Sequence, residues 1–169
     1  NTGFLRPDSV LAIVLVTDEA DSSFAEHLAP MAVFGGDSFG RDVALNPPLQ
    51  RPITDVARAL RGLRRIPSQL IFAAIVGVPE DAVALPTNQV LSRPEMQLVP
   101  FAAGSCPSWV QSCATEQVAQ SLVPACADRR NPNSVEANAA PGSQYVQLIA
   151  ELNRLDVVGT TLQSICADN

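Results

Sequence analysis

Two stretches of the chain are apolar almost without interruption. Val10 to Val16 is one, and Leu70 to Val78, with Gly77 inside it, is the other. A strand with one wet face alternates apolar and polar positions. These two do not, so each is expected to be buried on both faces, as in the centre of an α/β sheet. Each ends abruptly, the first at Thr17-Asp18-Glu19 and the second at Pro79-Glu80-Asp81. Between them, Ile53, Val56, Ala57, Leu60, Leu63 and Ile66 recur at steps of three and four residues. That spacing predicts an amphipathic helix over Ile53–Ile66, with Thr54 or Asp55 placed to cap it and Pro67 to end it. Strand, helix and strand in this order make a crossover unit, hence a parallel pair.

The remaining pattern extends this picture. Tyr145, Val146, Leu148, Ile149, Leu152 and Leu155 form the apolar stripe of a second helix over Ser143–Leu155. Val157 to Ile165 reads as a third strand, and Thr115 to Leu122 as a short helix ended by Pro124. Ser23–Arg51 is too long for an ordinary connection and, with Gly35, Gly36, Gly40, Pro47 and Pro48, reads as an irregular insertion. Ala82–Pro107 is also expected to be irregular, with a short extended piece at Met96–Val99. Asp128–Gly142 reads as a polar loop. The fold class predicted is α/β: a mainly parallel, Rossmann-like sheet with helices on both faces and long insertions.

With 169 residues, 47% of them apolar, the chain has the size and content of one hydrophobic core. The expectation is a single α/β domain over 1–169. Because it opens on Asn1, we read it as an excised or incomplete portion of a larger domain. No apolar run approaches the roughly 18 residues of a membrane span. A net charge of −6 argues against nucleic-acid binding through phosphate contacts. All eleven basic residues are Arg, which removes lysine chemistry, and a single His leaves little room for histidine-dependent catalysis.

The four cysteines, Cys106, Cys113, Cys126 and Cys166, are even in number, and three lie in a polar, Pro-containing stretch. This predicts two disulfides and a secreted, periplasmic or cell-surface location. The helix expected between Cys113 and Cys126 would hold them roughly 15–20 Å apart, beyond the ~7 Å a disulfide spans. That leaves Cys106–Cys113 with Cys126–Cys166 as the preferred connectivity. Cys106–Cys126 with Cys113–Cys166 is the alternative. The spacing of Cys106 and Cys113, with no His nearby, does not suit zinc.

Three groups of residues are candidates for chemistry. The first is Thr17-Asp18-Glu19-Ala20-Asp21-Ser22-Ser23, three carboxylates and three hydroxyls just past a predicted strand. Ligands of open α/β sheets bind at that edge, and such oxygens suit Mg²⁺ or Ca²⁺. Asp18, Glu19 and Asp21 are the candidate metal ligands; a solvated, helix-capping turn is the plain alternative. The second is Gly36-Asp37-Ser38-Phe39-Gly40, which matches the G-x-S-x-G turn of serine hydrolases. Such a serine needs a His partner, and His27 lies upstream instead of downstream. The third is Arg58, Arg61, Arg64 and Arg65, expected on the solvated side of the first helix. Trp109 is expected to pack over a disulfide or small core, or to serve as an exposed contact.

The aliphatic strand Val10–Asp18 ending in Val-Thr-Asp resembles the fourth strand and metal loop of von Willebrand factor type A domains. Arg64-Arg65-Ile66-Pro67-Ser68, Phe72–Gly77, Ser143-Gln144-Tyr145 and Ser164–Asp168 strengthen the likeness, to a secreted bacterial branch of that superfamily. The resemblance implies a doubly wound α/β fold and a metal-ion-dependent adhesion site for protein ligands. Asp18, with Thr17 beside it, carries over as the candidate metal contact. The family's Asp-x-Ser-x-Ser loop has no counterpart in the nine residues before the strand, so the chain resembles the C-terminal portion of such a domain. The function expected is an extracytoplasmic binding or adhesion module for a protein partner, with a weak divalent-cation site and no enzymatic activity. The alternatives are a serine hydrolase using Ser38 and a structural domain with a degenerate site.

Overall fold

The structure, a computed structural model, describes residues 6–20, 45–99, 122–127 and 138–167. In chain order its elements are β1 (Leu11–Val16), α1 (Ile53–Gly62), β2 (Leu70–Val76), α2 (Thr87–Leu91), β3 (Cys126–Ala127), β4 (Asn138–Ala139), α3 (Ser143–Arg154) and β5 (Gly159–Ser164). β1, β2 and β5 form a parallel sheet in that spatial order. The register places Leu11 opposite Leu70 and Val16 opposite Ile75. On the other side of β2, Ile71 lies opposite Gly159 and Val76 opposite Ser164. β3 and β4 make a separate antiparallel pair with Cys126 opposite Ala139.

The order explains where the core sits. The chain steps from β1 to β2 to β5 in one direction, through α1 and then α3. Parallel crossovers share one hand, so two steps in the same direction put both helices on the same face. That face carries Leu11, Ile13 and Leu15 of β1, Leu70, Phe72, Ala74 and Val76 of β2, and Leu162 of β5. Ala57 of α1 and Val146, Ile149 and Leu152 of α3 are buried against it, with Ile53, Val56 and Leu60 at the margin. Full burial of each large aliphatic or aromatic side chain contributes about 1.5–3 kcal/mol, which makes Phe72 and Leu152 main anchors.

Two expectations about the sheet are met only in part among the described residues. The strands were expected to be buried on both faces, with helices on both. Among the described residues, α1 and α3 pack on one face, and burial along β1 and β2 alternates. Val14 and Val16 are each 61% exposed and Ile71 is 40% exposed. The apolar composition of the strands therefore reports two apolar faces, of which the described residues cover one.

The helix boundaries differ for local reasons. α1 begins after Pro52, whose carbonyl accepts from the Asp55 and Val56 amides, and no side chain caps it. Asp55, expected as a cap, instead pairs with Arg58 at 2.9 Å. α1 ends at Gly62, four residues before the expected end, and Pro67 opens a 3₁₀ turn over Pro67–Gln69. Arg64 is not on a solvated face. It is 5% exposed, with Nη1 donating to the Leu63 carbonyl at 3.1 Å and Nη2 to Ser9 Oγ at 3.1 Å. A cation beside the last carbonyls of a helix is favourably placed. The described part of Ala82–Pro107, residues 82–99, holds more order than expected, namely α2 and a 3₁₀ turn over Pro94–Met96; the extended piece expected at Met96–Val99 begins only after that turn, at Gln97, and is not a strand. Most of the Ser23–Arg51 insertion and of the Thr115–Leu122 helix lies outside the described residues.

α3 closes with a Schellman turn. The Val157 amide donates to the Leu152 carbonyl at 3.1 Å and the Asp156 amide to Asn153 at 3.2 Å. Asp156 takes the left-handed position, φ 61°, where glycine is the usual residue. Buried Val157 then starts the turn into β5. Replacing Asp156 with Gly removes the Cβ conflict of that conformation, worth about 0.5–1 kcal/mol less the added chain entropy. Asp156→Gly is expected to raise the melting temperature by about 1–3 °C, read by circular dichroism. A fall would show that the Asp156 side chain, not the backbone, sets the turn.

Candidate functional site

The carboxyl edge of a parallel sheet is where loops and helix amino ends converge. At this edge the β1–β2 ladder continues one residue past β1, with the Thr17 amide donating to Ile75 at 3.1 Å. The chain then leaves the sheet at Asp18 and Glu19. The peptide between these two residues is held at both of its polar groups. The Asp18 carbonyl accepts from the Ala140 amide at 2.7 Å, and the Glu19 amide donates to Thr17 Oγ1 at 3.1 Å. Asp18 and Glu19 themselves are exposed. The backbone that launches the two carboxylates is thus fixed while the carboxylates face water.

Residues 139–142 cross the ends of β1 and β2 like a strap. Ala140 holds Asp18, and two residues on the Gly142 amide donates to the Gly77 carbonyl at 2.9 Å. This approach is possible because neither partner has a side chain. A Cβ on Gly77 would lie 1.9 Å from the Ala140 carbonyl oxygen, and one on Gly142 would lie 2.7 Å from Val76 Cγ2. Gly142 is also the residue from which α3 starts, and Ser143 Oγ donates to the Met96 carbonyl.

The cysteines join the same edge. Cys126 and Cys166 form a disulfide with Cα atoms 6.1 Å apart. This bond belongs to the preferred connectivity and is incompatible with a Cys113–Cys166 bond; Cys106 and Cys113 lie outside the described residues. Ser164, at the end of β5, is buried next to the disulfide. Its Oγ donates to the Val78 carbonyl at 2.6 Å and accepts from the Cys166 amide at 3.2 Å.

Of the three expected metal ligands, Asp18 and Glu19 are brought to one loop, and Asp21 lies outside the described residues. Among the described residues no group of three or more His, Cys, Asp or Glu side chains is arranged to hold a metal ion. Ser38, His27 and the Gly36–Gly40 turn, the hydrolase candidates, lie outside the described residues, as does Trp109. A separate cleft of about 570 Å³ opens between the start of α1, Leu91 of α2, and Gln147 and Glu151 of α3. None of its walls comes from the acidic loop.

Sequence reasoning missed the strap. Its components are Gly77, Ala140 and Gly142, which carry no chemistry of their own. The one available signal was Gly77 inside an aliphatic strand, a position that often marks close backbone approach. Gln144 was also missed as a buried polar group. It is 3% exposed, and neither of its carboxamide atoms has a hydrogen-bond partner among the described residues.

Among the described residues no helix is long and apolar enough to cross a membrane. Comparison with protein-family models, with curated proteins and with solved structures finds no match to this chain.

Gly77→Ala is expected to displace the strap, because the added methyl meets backbone and not a flexible side chain. A loss of about 2 kcal/mol or more is expected, in the range of overpacking and broken backbone hydrogen bonds. Urea unfolding of Gly77→Ala beside Gly62→Ala measures it, since a Cβ on Gly62 meets nothing within 4 Å. Equal midpoints for the two variants would show that the strap does not pack on β2.

Proposed function

We propose that this chain is an extracytoplasmic binding module, resembling part of a von Willebrand factor type A domain and acting in contact with a protein partner. The Thr17–Glu19 loop is its ligand-facing edge and holds Mg²⁺ or Ca²⁺ weakly through Asp18, with Glu19 and Asp21 as further oxygen donors. The observation that supports this most is the Asp18–Glu19 peptide. It is fixed at both polar groups while its carboxylates are exposed, at the carboxyl end of a parallel strand. A cation site gains from a fixed backbone that lowers the cost of ordering its ligands. The parallel α/β sheet is consistent at a coarse level with a Rossmann-like fold. The Cys126–Cys166 bond favours an oxidising compartment, secreted, periplasmic or at the cell surface.

The reading assigns few protein ligands, so the affinity is modest. Water and an oxygen of the bound partner would complete the shell. A site half-saturated near 0.1 mM adds about 1.4 kcal/mol at 1 mM cation, by RT ln(1 + [L]/Kd). For a chain of this size that is a rise of about 3–5 °C in melting temperature. Thermal melts of the oxidised protein in EDTA and in 1 mM Mg²⁺ or Ca²⁺ are expected to show this rise. Asp18→Asn, which keeps the shape and the backbone bonds, is expected to abolish it. Identical melts in EDTA and in both cations would remove the cation site, and the adhesion-type reading with it.

A further inference from the structure

We propose that the Cys126–Cys166 disulfide is a positioning element for the acidic loop, so that the state of this sulfur pair sets how firmly Asp18 is held. The path is short and continuous. Cys166 follows the end of β5, and its amide is bound to Ser164 Oγ, which donates to Val78 just past β2. The sulfur–sulfur bond fixes Cys126 to that point. Cys126 is the first residue of β3 and lies directly opposite Ala139 of β4, where the neighbouring Ala125 amide donates to the Ala139 carbonyl at 2.8 Å. The next residue, Ala140, donates the 2.7 Å hydrogen bond to the Asp18 carbonyl.

β3 and β4 cannot hold this geometry by themselves. Each is two residues long, and an isolated two-stranded ribbon is marginal in water even when longer. The ribbon is tied down at one end by the disulfide and at the other by the Ala140–Asp18 and Gly142–Gly77 bonds. Without the covalent tie, the segment before Gly142 loses its anchor on the β5 side, and the Ala140 hydrogen bond opens more often. The β1–β2 ladder does not depend on this tie, because its register and its core contacts with α1 and α3 lie elsewhere.

The inference rests on the acidic loop being the site, yet its test does not require cation binding. Backbone hydrogen exchange in EDTA is compared between the oxidised protein and Cys126→Ser/Cys166→Ser. The expected result is at least a tenfold loss of protection at the Ala140 amide. The amides of Leu15 and Ile75, which donate across the β1–β2 ladder, should change by less than about twofold. Unchanged protection at Ala140, or equal loss at all three amides, would overturn the proposal, since the disulfide would then act on nothing local or on the whole fold.

Should the double serine variant fail to fold, Cys106→Ser/Cys113→Ser, in which Cys126 and Cys166 are the only cysteines left, is treated with a dithiol such as dithiothreitol. Its two thiols become a cyclic disulfide while Cys126 and Cys166 each take up a proton and an electron and leave as thiols. The same exchange readout applies, with the same two outcomes. A calcium titration of both forms separates this inference from the function. Local loosening with at least a threefold weaker half-saturation supports both. Local loosening with no calcium response in either form supports the linkage and removes the cation reading. Unchanged exchange with a calcium response in both forms removes the linkage and keeps the cation reading.

Discussion

Crossovers of one hand, taken in one direction across a sheet, place their helices on one side, and this constraint organises the molecule. α1 and α3 meet over Phe72, with the inward residues of β1 and β5 completing the layer. The same constraint sends the amino end of α3 to the carboxyl edge of the sheet, where Gly142 meets Gly77. It also leaves Val14, Val16 and Ile71 on the side away from the helices. Among the described residues, the one-sided helix layer and the exposed valines share that cause.

The carboxyl edge depends on a second constraint, the distance of closest approach between backbones. Two residues without side chains let residues 139–142 lie directly on the ends of the strands. From there a backbone amide reaches Asp18, and a hydroxyl two residues upstream of Glu19 takes up the other half of the same peptide. Ser164 and the disulfide complete the edge from the β5 side. Backbone groups and small side chains do the positioning here, and the carboxylates are left available to solvent.

Much of the framework was legible from the residues. The β-branched run ending at Val16 marks β1, and the three- and four-residue recurrence of Ile53, Val56, Ala57 and Leu60 marks α1. The order of strand, helix and strand predicted parallel pairing, which the register of β1 on β2 has. The second face of the sheet was less legible, because apolarity at Val14 and Val16 states only that burial would be favourable, not that a layer is present. The end of α1 was misplaced because Leu63 and Ile66 continue its periodicity, while the Arg61 guanidinium, bonded to the Arg64 carbonyl at 2.6 Å, stabilises a different path. At the candidate site, Asp18 and Glu19 were visible as charges. The amide that holds them was not, since Ala140 sits in a stretch whose composition reads as loop and its role is purely geometric.

The disulfide also has a mechanical meaning. It joins residues 40 positions apart and thereby closes a covalent ring that contains all of α3 and β5. Under tension applied outside the ring, at roughly 3.3–3.6 Å per residue, about 130–145 Å of contour length cannot be drawn out while the bond is intact. Extension is instead confined to the chain outside the ring, which among the described residues holds β1, α1, β2 and α2.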